Sequence, residues 1–350
     1  MPWPTQGAAA LYLEDGSKLG SSGAGSPIAM ASTAKIMTAL LVLEDHPLAL
    51  NTPGPVVTVT RADVATYSAE RNQGESVVPV ATGEQLTEYQ LLQGLLLPSA
   101  SNFADMLANW DAGGVPEFVG RMNTRAAALG MSATHYADVS GFSPQSVSIP
   151  ADLISLARTA MRVPVFAQIV AQSQATLPVA GVVRNLDTML GHSGVVGIKT
   201  GHTDQAGGCF VFASDVAIEG QVVRIYGAVV GQPNALAGAF SATTALLQSI
   251  APVLQRRPVV QKGDLVATYR TAWDESGRII ASDSGGTWVL LNGAVITRRI
   301  TVMSLPASLP AGSPVGTLTV TAPDHQAEIP LITAEPIVGP DLGWRLTRGF

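Results

Sequence analysis

Ser32-Thr33-Ala34-Lys35 is the first set of residues in this chain whose spacing could do chemistry. Residues three apart on a helix are neighbours, so S-x-x-K sets an amine beside a hydroxyl. A serine hydroxyl is a weak nucleophile until a base takes its proton. A lysine can be that base when burial or a nearby cation depresses its pKa. Taken alone, the motif reads equally well as a serine cap followed by a surface lysine. Lys199-Thr200-Gly201 is the second set, closing the apolar run Val195-Val196-Gly197-Ile198. It offers a cation, a hydroxyl, and a glycine that lets a substrate backbone come close. Ser99-Ala100-Ser101-Asn102 is the third, in a break between two helical segments; alone it is a helix stop and restart.

These residues need elements to hold them. From Ala31 to Leu43 the spacing is helical and nearly every face is apolar, the pattern of a helix inside a protein. Residues 7 to 19 read as a strand, a tight turn at Asp15-Gly16 and a second strand. Helices are expected over 87–97, with Thr87 as its cap, and over 102–112, 117–129 and 149–162. Gly130 is placed as a residue just past a helix end, and Pro150 in a first turn. After Val182 the period shifts to short β-rich runs at 194–199, 208–213 and 222–231, and 235–254 returns to helix. Arg256-Arg257-Pro258 reads as a linker. Beyond it, Trp288–Leu291, Asn292-Gly293 and Ala294–Met303 predict a hairpin, and seven prolines from Pro306 to Pro340 exclude long helices. Two domains follow, 1–256 and a small β-rich domain at 257–350.

The 350 residues suit roughly two domains. Lys plus Arg is 20 against 26 acidic residues, a net charge of -6. That balance argues against nucleic acid as a partner, since phosphate binding needs a basic face. A hydrophobic fraction of 47% and a mean hydropathy of +0.28 exclude a disordered chain. There are four lysines, so the positions of Lys35 and Lys199 are informative. Cys209 is the single cysteine, which rules out an intramolecular disulfide and thiolate-rich metal clusters; it is expected as a small core residue. The longest strongly apolar stretch, Ile36 to Leu43, falls far short of the roughly 20 residues of a membrane span. Met1-Pro2-Trp3-Pro4 is not a signal sequence. If the protein is exported, a signal ahead of Met1 and an anchor beyond Phe350 are expected.

In chain order, S-x-x-K, a serine-bearing second motif and K-T-G are the motif set of serine β-lactamases and penicillin-binding proteins. The separations, 67 residues from Ser32 to Ser99 and 100 from Ser99 to Lys199, suit one domain. Residues 7–254 resemble the penicillin-binding D-alanyl-D-alanine carboxypeptidases of peptidase family S11. The likeness is carried by Ala29 to Ala39, by Leu96-Leu97-Pro98-Ser99, by Gly197 to Thr203 followed by Ala206-Gly207, and by the pair Arg184-Asn185. The tail from Lys262 resembles the second domain of many members. The resemblance implies a serine β-lactamase/transpeptidase-like α/β (α+β) fold, a mostly antiparallel sheet flanked by helices, followed by an all-β sandwich.

It also implies a reaction. Ser32 attacks the carbonyl between the two terminal D-alanines of a peptidoglycan stem peptide, Lys35 is the base, and Ser99 passes a proton to the leaving D-alanine. The repulsion of Lys199 would favour neutral Lys35. The backbone N–H groups of Ser32 and His202 form the oxyanion hole, Gly201 keeps the backbone approach open, and β-lactams acylate the same serine. No metal or organic cofactor is implied, and the location is the cell envelope outside the cytoplasmic membrane. Two departures stand out. The second motif has Ser101 where the family has Asn, leaving Ser101 or Asn102 to meet the substrate amide. Residues 232–255 hold no arginine, so the substrate carboxylate is assigned to Arg184, Lys199 and Thr200. Alternatives are a transpeptidase, a β-lactamase, or a non-catalytic wall-binding homologue. No Glu lies between Glu117 and Glu219, which speaks against class A β-lactamase deacylation. A His-based triad through His135, His192 or His202 lacks a G-x-S-x-G elbow.

Overall fold

Strand Ala8–Leu13 is apolar throughout and buried along nearly its whole length, because it lies inside a sheet. In the computed structural model, which describes residues 1–23 and 25–347, that antiparallel sheet runs Lys18–Ser22, Ala8–Leu13, Gln221–Gln232, Gly207–Ile218, Val195–Thr203. The strand carrying Lys199-Thr200-Gly201 is therefore an edge, with Gly201 opposite Cys209. Eight helices are described in this unit: α1 (Lys35–Asp45), α2 (Arg61–Asn72), α3 (Glu88–Leu96), α4 (Ser101–Ala112), α5 (Val115–Ala128), α6 (Pro150–Ala160), α7 (Pro164–Val170) and α8 (Ala235–Ile250). Side chains alternate across a strand, and Gly207–Ile218 uses both faces. Cys209, Val211 and Ala213 join the large core built with α1 and α3–α7, while Phe210 packs edge-on against Phe240 of α8, ring centroids 5.1 Å apart.

Helix α1 is buried without interruption from Lys35 to Leu43, as its all-round apolar pattern requires. The four residues before it, Ala31–Ala34, form a tighter 3₁₀ turn instead of the first turn of the α-helix. Thr87 caps α3 in a full capping box with Gln90: the Gln90 N–H donates to the Thr87 hydroxyl, and the Thr87 N–H donates to Gln90 Oε1. Helices α2 and α7 lie outside the elements read from sequence. The apolar stretch that meets the length and composition of a membrane span is Ala235–Val253, not Ile36–Leu43. Helix α8 within it buries Ala239, Leu246, Leu247 and Ile250.

The chain divides into two units at Met1–Ala251 and Pro252–Phe350, five residues before the expected 256/257 boundary. The reason is that Arg256-Arg257-Pro258 is not a linker. Leu254–Pro258 is a strand paired with Thr287–Leu291. That pairing also overturns the predicted hairpin. A turn does close at Asn292-Gly293, with the Ala294 N–H on the Leu291 carbonyl. The strand that follows, Thr297–Val302, pairs instead with Pro314–Ala322. It forms the exposed edge of an antiparallel five-stranded sheet ordered Leu265–Arg270, Ser276–Ala281, His325–Thr333, Pro314–Ala322, Thr297–Val302. This unit has its own core around Val259, Ile279, Val315, Leu318, Val320, Ile329 and Leu331. The short helix α9 (Leu342–Thr347) and the 3₁₀ turn Ala251–Val253 at its start are its departures from all-β among the described residues.

Candidate active site

Ser32 sits in the middle of the 3₁₀ turn, three residues before α1 begins at Lys35. The turn is entered through Ala31 at φ +48°, a conformation that costs a non-glycine residue of order 1–3 kcal/mol. Gly141 makes this possible from the other side. A Cβ built on it would lie 1.9 Å from the Ala31 carbonyl oxygen, so only a glycine leaves room for the two backbones. The Thr33 hydroxyl ties back to the Met30 carbonyl at 2.6 Å, and the Thr38 hydroxyl donates to the Val139 carbonyl at 2.7 Å.

Lys35 is fully buried and donates from Nζ to Ser32 Oγ at 2.8 Å, to the Ser140 carbonyl at 3.0 Å and to Ser101 Oγ at 3.3 Å. Burial pulls its pKa down to about 8, partly opposed by Glu75, Asp138, Glu70 and Asp105. Lys199, on the edge strand, is also buried and donates to the Thr200 carbonyl at 2.9 Å. Its pKa falls well below the ordinary lysine value, first through burial and then through the charge of Lys35, against the pull of Asp187. Repulsion between the two lysines thus shows on Lys199, and burial is what depresses Lys35.

Two cavities of about 460 and 480 Å³ meet at Ser32. Ser101, Glu75 and His202 line the first; Ser99, Thr200, Gly201, His202 and the start of α8 line the second. Ser99 is held at φ +68°, and its buried hydroxyl has no hydrogen-bond partner. Gly201 passes so close that a Cβ there would lie 2.8 Å from the Ser32 nitrogen and 3.1 Å from the Thr33 nitrogen. The edge strand therefore runs directly beside the backbone N–H of Ser32. The partner of the Ser32 hydroxyl is a lysine and not a histidine.

Two assignments fail. Asn102 is buried and points away, spending both ends of its amide on Val78: it accepts from the Val78 N–H at 3.0 Å and donates to the Val78 carbonyl at 2.9 Å. Arg184 is exposed on the ribbon Gln174–Leu177/Gly181–Arg184, reaches Gln174 Oε1 at 3.5 Å, and lines neither cavity. Its neighbour Asn185 is structural, donating to the carbonyls of Val170 and Gln172.

Sequence reasoning missed the acidic side of the site. Glu70 and Asp105 lie together; burial and the charge of Asp105 push Glu70 up to about 8, while burial raises Asp105 against the lowering hydrogen bond from Glu70. Glu75 lines the first cavity with Ser32 and is also raised by burial. The stretch without glutamate, 118–218, is real, but a carboxylate reaches the cavity from Glu75 upstream of it. Asp138 was missed too. Its carboxylate accepts from the N–H groups of Gly141 and Ser143 and from the hydroxyls of Ser140 and Ser146, shaping the loop whose Ser140 carbonyl holds Lys35.

Residues 13–233 match the family model for D-alanyl-D-alanine carboxypeptidases, peptidase family S11. The chain belongs to that family. D-alanyl-D-alanine carboxypeptidase DacB2 of Mycobacterium tuberculosis is 39% identical over 191 residues, 53% of this chain and 61% of that protein. The chain thus spans less than two thirds of that relative. The crystal structure of the Streptomyces K15 DD-transpeptidase superposes with a TM-score of 0.61 at 27% identity, covering 71% of this chain and 98% of that one. Penicillin-binding protein 5 from Haemophilus influenzae shares the fold over 97% of this chain and 99% of its own, with a TM-score of 0.71 at 20% identity. The fold class and the serine-peptidase family expected from the three motifs both hold.

Proposed function

We propose that this S11 family member is a serine D-alanyl-D-alanine carboxypeptidase that trims the terminal D-alanine from peptidoglycan stem peptides. The observation that carries the reading is the buried Lys35 amine 2.8 Å from the Ser32 hydroxyl, with a pKa lowered to about 8. An amine near its pKa at neutral pH is both present as free base and basic enough to take a proton. Ser32 Oγ attacks the carbonyl between the two D-alanines as its proton passes to Lys35. The developing oxyanion is met by the backbone N–H groups of Ser32 and His202, each donor contributing on the order of 3 kcal/mol. The Ser99 hydroxyl, free of other partners, gives its proton to the leaving amine and regains one from the Lys35 ammonium, which returns Lys35 to the free amine. Water then cleaves the acyl-enzyme.

With Arg184 elsewhere, the terminal carboxylate falls to the Thr200 hydroxyl and the nearby Lys199. The start of α8 lines the same cavity without a side-chain cap, adding its free N–H groups and partial positive charge. β-Lactams enter the same site and acylate Ser32. A substrate of this class places the protein in the cell envelope, outside the cytoplasmic membrane.

Likeness to a DD-transpeptidase favours one second reading, transfer of the acyl group to an amine in place of water. Both readings share the acyl-enzyme. Intact mass after benzylpenicillin, wild type beside Ser32→Ala, tests it: one adduct is expected on the wild type and none on the variant. D-alanine release from a stem pentapeptide, with and without an added amine acceptor, then separates hydrolysis from transfer. An intact, unmodified protein that releases no D-alanine refutes both.

A further inference from the structure

Glu75 is a half-buried acid that lines the first cavity together with the nucleophile, and its role is unassigned. It sits just past the end of α2, and its N–H donates to the Glu70 carbonyl at 3.0 Å. The strap 75–78 that carries it is fastened to the start of α4 by three hydrogen bonds. The Ser101 N–H donates to the Ser76 carbonyl at 2.7 Å, and the two ends of the Asn102 amide grip Val78. The strap sets Glu75 beside Ser101 on the wall of the first cavity, the Ser101 hydroxyl facing the Glu75 carboxyl group. The other face of that same hydroxyl takes the Lys35 hydrogen bond at 3.3 Å. One Glu75 oxygen, Oε2, is buried with no partner at all. Ser32, Lys35 and Ser101 are thus joined by hydrogen bonds, and Glu75 stands beside Ser101 on the wall of the same cavity.

We propose that Glu75 stores the proton that Lys35 must lose before it can act as base, and that the Ser101 hydroxyl carries it. The transfer balances within these residues. An N–H bond of the Lys35 ammonium breaks and its proton joins Ser101 Oγ. The original Ser101 O–H bond breaks and that proton joins the Glu75 carboxylate. The products are a neutral amine, a neutral acid and an unchanged serine. Filling the cavity with substrate drives the step, because desolvation disfavours the charged form of both end groups. Lys35 then takes the Ser32 proton during attack. This gives a reason for Ser101 where the family has an amide: a hydroxyl can accept one proton while giving up another, and a carboxamide cannot do so readily. Glu75 acts on Ser32 only through Ser101 and Lys35, so it is a positioning residue.

The inference rests on the reading of Ser32 as nucleophile and Lys35 as its base. A bystander carboxylate predicts effects of the opposite sign, which makes the test sharp. Besides Glu75, the charged groups facing Lys35 are Asp138, Glu70, Asp105 and Lys199, and those facing Glu75 are Lys35, Glu70, Asp105 and Asp138. All but Glu75 stay in place in Glu75→Gln. If Glu75 only contributes its charge, removing it lowers the Lys35 pKa, speeds acylation by benzylpenicillin and moves the acid limb of the pH profile down. If Glu75 stores the proton, acylation slows by about a hundredfold at neutral pH. The acid limb then moves up, from a value belonging to the coupled pair to that of Lys35 alone.

Ser101→Ala keeps the Glu75 charge but removes the carrier. It is expected to slow acylation as much, and the double variant to be no slower than either single one. Faster acylation in Glu75→Gln, a limb that moves down, or additive losses in the double variant overturns the proposal. A wild-type protein that forms no Ser32-linked penicillin adduct overturns the parent reading as well. An adduct on the wild type together with a faster Glu75→Gln overturns this inference alone. Circular dichroism and melting of each variant keep a folding defect from passing as slow acylation. Should Glu75→Gln fail to fold, Ser101→Asn, which restores the usual family residue, carries the same expectation of slowed acylation and a raised limb.

Discussion

Replacing Lys35 by methionine is expected to stabilise the protein in one pH window while abolishing acylation. Lys35 is fully buried, and its pKa drops from 10.5 to about 8 on folding. The difference corresponds to about 3 kcal/mol of penalty for holding the ammonium in the folded chain. The sign follows from which state binds more protons. Between about pH 8 and 10.5 the unfolded lysine is protonated and the folded one is not, so wild-type stability rises with pH across that window. Below about pH 8 the folded state carries the full penalty. Methionine has similar length and no charge, so its stability lacks this slope. The advantage of Lys35→Met over wild type should therefore shrink by about 3 kcal/mol between pH 7 and pH 10.5. Methionine also leaves the Ser140 carbonyl without its donor, at a cost of about 1–3 kcal/mol, but that cost does not vary with pH. The slope of the difference is thus the diagnostic quantity, not its intercept. Lys199 acts in the same direction, since removing Lys35 relieves the repulsion that lowers it. Urea unfolding of both proteins at a series of pH values reads the slope. A difference independent of pH would refute the account of a charged amine forced into an apolar interior.

Five further outcomes follow from the geometry. Gly201→Ala pushes a methyl to 2.8 Å from the Ser32 nitrogen, so acylation by benzylpenicillin should fall at least about tenfold while the melting temperature moves little; unchanged kinetics would place the strand further from Ser32. Asp138→Ala removes the acceptor for the Gly141 and Ser143 N–H groups, and denaturant titration should show a loss of about 2–3 kcal/mol together with slower acylation. Asn102→Ala frees the 75–78 strap and is expected to cost about 1–3 kcal/mol of stability, and Arg184→Ala should leave KM for a stem pentapeptide within about twofold. Glu70 titrates upward, with a folded value of about 8 against 4.5, so its contribution to stability is present below about pH 4.5 and is lost as pH rises through 8. Glu70→Gln should flatten that fall in a pH series of unfolding curves, and a steeper fall would contradict the assignment.

The parts of this site that local spacing controls were legible in the sequence. S-x-x-K places Lys35 on Ser32 through helix geometry alone, and the all-round apolar run says that the lysine is buried. Legibility ends where a residue reaches the site through tertiary contacts. Glu75 stands in no motif, and only the hydrogen bonds from Ser101 and Asn102 to the 75–78 strap bring it in. Asn102 misleads for the same reason: its amide is one position out of register with the motif, and a helix turns that single step away from the cavity. Arg184 matches a family pair, yet its ribbon carries it off the site. In the second unit, Asn292-Gly293 made its turn, but the flanking strands found better partners elsewhere. A turn fixes the local direction of the chain, and ladder pairing is decided by the whole sheet.

Strand Thr297–Val302 has every side chain exposed, and no strand pairs with its outer edge among the described residues. A row of free N–H and C=O groups like this is a template for another chain, and Ile300 and Val302 supply the apolar grip such pairing uses. Arg298 and Arg299 place two like charges on that edge, where a second copy would bring two more. The arginines thus act as gatekeepers of colloidal stability. Concentrated salt, by screening them, should make this protein self-associate through its second unit long before either core loosens.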